Sequence, residues 1–170
     1  MKNIIRRGVF ESNSSSSHSI SIMKEPQEVE IPYEMHLYIH EFHDYPWDDD
    51  DMDTVKGRAN YLYSCAINHE LEETFKKRMK ELLLDTILVF EEFNGGEWDR
   101  YLINHQAYET SLELLHRLLE DDKLLLNYLF DDNTDVVITS DWVDAAARKG
   151  KDRIYFDEFG KVSYGEEDEE

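Results

Sequence analysis

Residues 54–69 read Thr-Val-Lys-Gly-Arg-Ala-Asn-Tyr-Leu-Tyr-Ser-Cys-Ala-Ile-Asn-His, and residues 70–85 continue Glu-Leu-Glu-Glu-Thr-Phe-Lys-Lys-Arg-Met-Lys-Glu-Leu-Leu-Leu-Asp. Val55, Ala59, Leu62, Ala66, Phe75, Met79 and Leu82 fall near one 3.6-residue stripe, which predicts a single long helix ending near Asp85. Asp53 or Thr54 can cap it by accepting hydrogen bonds from its first unpaired amides.

The flanking sequence supplies strands for this helix to pack on. Ser19–Met23 alternates polar and apolar residues, the pattern of a half-buried strand. Met35, Leu37, Ile39 and Phe42 predict a second strand, with His36, Tyr38 and His40 on its other face. Pro46 and the run Asp48–Asp53 end regular structure there. Thr86–Glu92 reads as a buried strand followed by a turn at Asn94-Gly95-Gly96. Helical patterns cover Thr110–Leu119 and Lys123–Phe130, with Asp121-Asp122 either a break or a solvated turn. Val136–Thr139 is strand-like, and Ser140 or Asp141 can cap a short helix through Ala147. Arg153–Phe156 and Lys161–Tyr164 read as a hairpin around Asp157-Glu158-Phe159-Gly160. With no internal repeat and no regular βαβ alternation, the fold class is α+β. The expected architecture is a single domain over 1–165, one long central helix on a mixed or antiparallel sheet. Residues 166–170 form an acidic tail expected to be disordered.

The composition limits what such a domain binds. There are 18 Lys and Arg against 39 Asp and Glu, a net charge of −21 over 170 residues. Residues 1–24 carry +3, 25–53 carry −11, 54–85 carry +1, 86–135 carry −9, 136–165 are neutral and 166–170 carry −5. Such a chain repels nucleic acid and anionic membrane and attracts basic surfaces. No apolar run approaches the length of a membrane span. Lys2, Arg6 and Arg7 are not followed by an apolar stretch of signal-peptide length. One cysteine excludes an intrachain disulfide and fits a reducing cytoplasm.

Val9-Phe10-Glu11-Ser12-Asn13-Ser14-Ser15-Ser16-Ser17-His18-Ser19 resembles the N-terminal signature of a group of small phage, prophage and bacterial proteins. These open with basic residues and then Val-Phe-Glu-(Ser/Thr)-Asn-Ser-Ser-Ser-(Ser/Thr)-His-Ser. Many also carry an Ile-Asp-His-Gln-Ser element, which Ile103-Asn104-His105-Gln106-Ala107 matches in part. By analogy, a small acidic chain of this kind with no evident enzyme motif resembles anti-defence inhibitors, including anti-CRISPR proteins of Cas9 systems. The resemblance implies a protein that binds rather than transforms its target.

Cys65 and His69 stand four residues apart on the predicted helix, a spacing that lets two side chains share a zinc ion. His18 and His105 are the further candidate ligands, because the resemblance covers both segments. A closed set of four makes zinc structural, whereas three protein ligands and a water permit catalysis. The alternative function is therefore a metal-dependent or thiol hydrolase built on Cys65, His69 and His105, with Asp99 as a possible acid. His36, His40 and His43 are read as a His-rich strand face. Ser14–Ser17 beside His18 are read as a loop whose hydroxyls bond to backbone amides.

Asp48, Asp49, Asp50, Asp51 and Asp53 lack the glycine and terminal glutamate of a calcium loop. Spaced carboxylates can instead occupy a basic groove that normally tracks nucleic acid. Phe42, Tyr45 and Trp47 would then anchor the contact. The expected partner is a nucleic-acid-binding protein with a basic surface, Cas9 being one example. Basic residues are too sparse for direct nucleic-acid binding.

Overall fold

The first helix begins where the capping argument places it, with Thr54 Oγ1 accepting from the Gly57 N–H at 3.0 Å. The computed structural model describes residues 16–42, 52–103, 107–140 and 147–165. Within them run strands β1 (Ser16–Met23), β2 (Glu34–Leu37), β3 (Ile87–Phe90), β4 (Asp135–Ser140), β5 (Arg153–Phe156) and β6 (Val162–Tyr164). The helices are α1 (Val55–Asn68), α2 (Glu72–Leu82), α3 (Tyr108–Glu120) and α4 (Asp122–Phe130). The fold is α+β.

The single helix expected to reach Asp85 is two helices. The Leu71 N–H bonds to the Ala66 carbonyl at 2.7 Å and the Glu70 N–H to the Ile67 carbonyl at 3.1 Å. Paired bonds of this kind close a helix with one left-handed residue, usually glycine. Here Glu70 takes that position at φ 58°, so no glycine marks the break. Arg100 clamps the bend from outside, donating to the Ile67 carbonyl at 3.2 Å and to Glu72 at 3.1 Å.

Helix α1 is also not amphipathic as expected. Every residue from Gly57 to Ile67 is buried, and the helix touches α2, α3, α4 and β2. A helix buried all round must find hydrogen-bond partners for its polar side chains inside the protein. Asn60 Oδ1 accepts from the Tyr38 N–H at 2.8 Å and Ser64 Oγ from the His40 N–H at 3.1 Å. Asn68 Oδ1 accepts from both Leu102 and Ile103 at 3.0 and 3.1 Å.

Two sheets flank the helices. One is antiparallel, in the order β4-β1-β5-β6, and the other is the parallel pair β2-β3. The hairpin expected near the end of the chain is β5-β6, with Gly160 at φ 74° in its turn. A Cβ there would meet the Glu109 backbone at 2.8 Å, so the turn sits directly on α3. Asp121 does break the second helical region, its carboxylate accepting from the Lys123 and Leu124 N–H groups that start α4. The short helix expected between Ser140 and Ala147 and the acidic tail 166–170 lie outside the described residues. No described helix is long and apolar enough to cross a membrane.

The left-handed Glu70 yields a test of opposite sign to most substitutions. Glu70→Gly removes the Cβ penalty and raises unfolding stability by about 1 kcal/mol. The gain is read from the urea midpoint, and a lowered midpoint contradicts the role given to this residue.

Candidate functional site

The acid of segments 25–53 and 86–135 meets in space. Asn127, buried on α4, donates through Nδ2 to the Met23 and Glu25 carbonyls at 2.8 and 2.7 Å. Its Oδ1 accepts from the Gln27 N–H at 3.1 Å. These bonds hold the chain after β1 against the end of α4, and a cleft of about 1070 Å³ opens between that chain, β2, the start of α1 and residues 130–133. Glu28, Glu30, Glu34, Asp131 and Asp132 line it, with Lys56 and His36 the residues able to carry positive charge. Val55, Ala59 and Phe130 contribute apolar wall.

Asp131 stands apart among these carboxylates because it is only 6% exposed. Its Oδ1 accepts from the backbone and side-chain nitrogens of Asn133, both at 3.0 Å. Its Oδ2 is buried with no hydrogen-bond partner among the described residues. Behind the cleft, fully buried Arg58 donates to the Leu129 carbonyl at 3.0 Å and the Asp53 carbonyl at 2.9 Å. Burial lowers its pKa, opposed by Tyr128, Asp132, Asp131 and Asp53. The sequence reading missed the cleft, although Glu28, Glu30 and Glu34 stand at even spacing, as on one face of an extended segment.

The proposed partner-binding residues Trp47, Asp48, Asp49, Asp50 and Asp51 lie outside the described residues, as do Tyr45 and His43. Asp53 is described, and its backbone carbonyl belongs to the Arg58 network. Phe42 is not the exposed anchor expected of it. It is 0% exposed and packs edge-on against Tyr61, with ring centroids 5.2 Å apart.

The proposed zinc ligands are distributed differently from expectation. His18 Nδ1 hydrogen-bonds the Tyr61 hydroxyl at 2.8 Å, and that hydroxyl also interacts with Cys65 one turn along α1. Burial pushes the Cys65 thiol pKa far up, opposed only partly by Tyr61. Burial, then Cys65 and Tyr128, likewise raises Tyr61. Burial thus favours the protonated phenol and thiol in this cluster, whereas zinc ligation or nucleophilic attack by Cys65 calls for the thiolate. Asp99, the possible acid, is instead exposed and accepts from the Gly96 N–H at 2.7 Å.

His69 is not on the body of the helix but at its C-terminal cap. Its Nε2 lies 2.8 Å from Ser111 Oγ, whose own proton goes to the Tyr108 carbonyl at 3.0 Å. Ser111 therefore accepts, which places the His69 proton on Nε2 and leaves Nδ1 as a bare lone pair. That Nδ1 is buried without a hydrogen-bond partner among the described residues. His105 lies outside them. Among the described residues no three of His, Cys, Asp and Glu are grouped to hold a metal ion.

Comparison with protein-family models, with curated proteins and with solved structures gave no match.

Burial, with a smaller contribution from His116, lowers the His69 pKa from 6.5 to about 4. The unfolded chain therefore binds a proton that the folded chain refuses between those values. His69 costs no stability above pH 6.5, and its penalty grows as pH falls toward 4. In urea titrations across that interval, His69→Gln should lose less stability on acidification than the parent chain. Parallel pH profiles would show that His69 is not held neutral.

Proposed function

We propose that this chain is a binding protein of the anti-defence kind, which covers a basic surface of a nucleic-acid-handling partner such as a Cas9-type nuclease and blocks nucleic-acid loading. The observation that carries this reading is the cleft, where carboxylates from two separate acidic stretches converge on one face with Lys56 as the lysine among them. Carboxylates held at fixed spacing offer a basic groove the charge it normally finds on phosphates. Their summed field speeds encounter, and apolar wall beneath them holds the complex once water is excluded. The N-terminal resemblance supports the same class. Such a partner places the protein in the host cytoplasm. The buried Cys65 thiol gives the hydrolase alternative no support.

Association with a purified Cas9-type nuclease should weaken steadily as salt rises from about 0.1 M, where charges are screened beyond roughly 10 Å, toward 1 M. Guide RNA added first should reduce binding, and neutralising Asp48–Asp51 together should weaken it. Absence of a complex, or affinity indifferent to salt, sinks this assignment.

Structural zinc on His18, Cys65, His69 and His105 is a separate proposal. His69 Nδ1 supports it as a lone pair already available, whereas Cys65 would have to give up its proton. One zinc per chain in the purified protein, lost together with thermal stability in Cys65→Ser, is the expected result. Metal-free protein with an unchanged melting temperature after chelation removes zinc from the account.

A further inference from the structure

We propose that the cleft takes an extended, arginine-bearing segment of the partner, added as a strand along the open edge of β2 with a guanidinium at Asp131. This rests on the binding reading above and specifies which part of the partner is held.

The argument starts from the ladder. Ile87 N–H bonds to the Tyr33 carbonyl at 2.8 Å and Glu91 N–H to the Leu37 carbonyl at 2.9 Å, so the odd-numbered residues of β2 face β3. Even-numbered residues turn their backbone groups to the other edge. At Tyr38 and His40 that edge is covered, because Asn60 and Ser64 of α1 accept its N–H groups. One turn earlier α1 carries Lys56, and at Val55 the helix begins. Beside Glu34 and His36 the same edge therefore opens onto the cleft that both residues line. A short strand edge facing a groove is a site for an added strand, whose main chain supplies affinity and whose alternate side chains supply specificity.

Charge selects the occupant. Glu28, Glu30, Glu34, Asp131 and Asp132 line the cleft against Lys56 and His36, the imidazole lying 2.5 Å from Glu34, so acid is in excess there. A second copy of this chain would bring the same acid to its own edge and be repelled. Asp131 Oδ2 is a buried carboxylate oxygen without a hydrogen-bond partner among the described residues, and such an atom is costly to leave unsatisfied. Asp131 lines the cleft and its Oδ1 is already held by Asn133, so Oδ2 is the oxygen left to take a further donor without giving up a bond. A guanidinium fits better than an ammonium, because its planar fork can serve a carboxylate and a neighbouring carbonyl together. Val55, Ala59 and Phe130 offer apolar contact for the side chains between arginines.

The test uses the full chain and a fluorescent peptide alternating Arg and Val over seven residues, with anisotropy as the readout. Binding is expected at low salt, and replacing Arg by citrulline should abolish it. N-methylating one alternate set of peptide amides should abolish binding, whereas methylating the other set should leave it, since a strand pairs through one edge. Asp131→Asn should weaken binding about tenfold, the scale of a charge-assisted hydrogen bond. Glu113→Gln on α3 should change nothing, and unchanged melting temperatures would show that both variants fold. Equal binding of the two methylated peptides overturns strand addition, and undiminished affinity of Asp131→Asn overturns the guanidinium seat. If the nuclease complex forms with its salt dependence but the peptide does not bind, this inference fails and the binding reading stands. If the peptide behaves as described but no nuclease complex forms, the cleft assignment stands and the partner class falls.

Discussion

Asn60, Ser64 and Asn68 stand four residues apart on α1, and each accepts hydrogen bonds from the backbone of a neighbouring element. The rest of the fold hangs on this row. A buried helix ordinarily keeps its surface apolar, while the chain beside it must satisfy its own amides elsewhere. Here the helix serves as a substitute strand for residues 38–40 and 102–103, regions where regular pairing has run out. The isolated bridge between Phe42 and Ile103 lies beside the same row. Removing an acceptor would strand a backbone amide, at a cost of about 1–3 kcal/mol.

The same row links the core to the cleft. Following it toward the N-terminus, the next position one turn before Asn60 is Lys56, a side chain that cannot accept a hydrogen bond from a backbone amide. The cleft is the place where the helix stops substituting for a strand. Charge and core chemistry are thereby separated. The Cys65, Tyr61 and His18 network lies wholly inside, while Glu28, Glu30, Glu34, Asp131 and Asp132 line the cleft at the open edge. Among the described carboxylates Asp131 is the buried one, with one oxygen bonded to Asn133.

Much of this was readable from residue order, and the misses have physical causes. Alternation at Ser19–Met23, the β-branched run at Val136–Thr139 and the turn at Asp157–Gly160 all mark local patterns, and each has its strand or hairpin in the structure. The break at Glu70 was invisible because the left-handed residue is a glutamate, and because Arg100, which bonds Ile67 and Glu72 across the bend, is distant in sequence. Phe42 was read as an anchor from its neighbours, but tertiary contact with Tyr61 decides its burial. The i, i+4 spacing of Cys65 and His69 was real, yet the helix ends between them, so the two residues serve different environments. The converging acids of the cleft come from segments a hundred residues apart, and no local pattern announces that they meet.

The antiparallel sheet carries a consequence for the order of assembly. Its strand β1 comes from the beginning of the chain, but its neighbours are β4 and β5, with Ser16 opposite Ser140 and Ile20 opposite Phe156. Each pairing closes a loop of more than a hundred residues, so its entropy must be met by helices already packed. During synthesis β1 emerges first and has no partner until residues 135–156 leave the ribosome. The buried helices can gather earlier through their local contacts. Contact order thus favours a sheet that closes after the helices, joining residues 16–23 to residues 135–156.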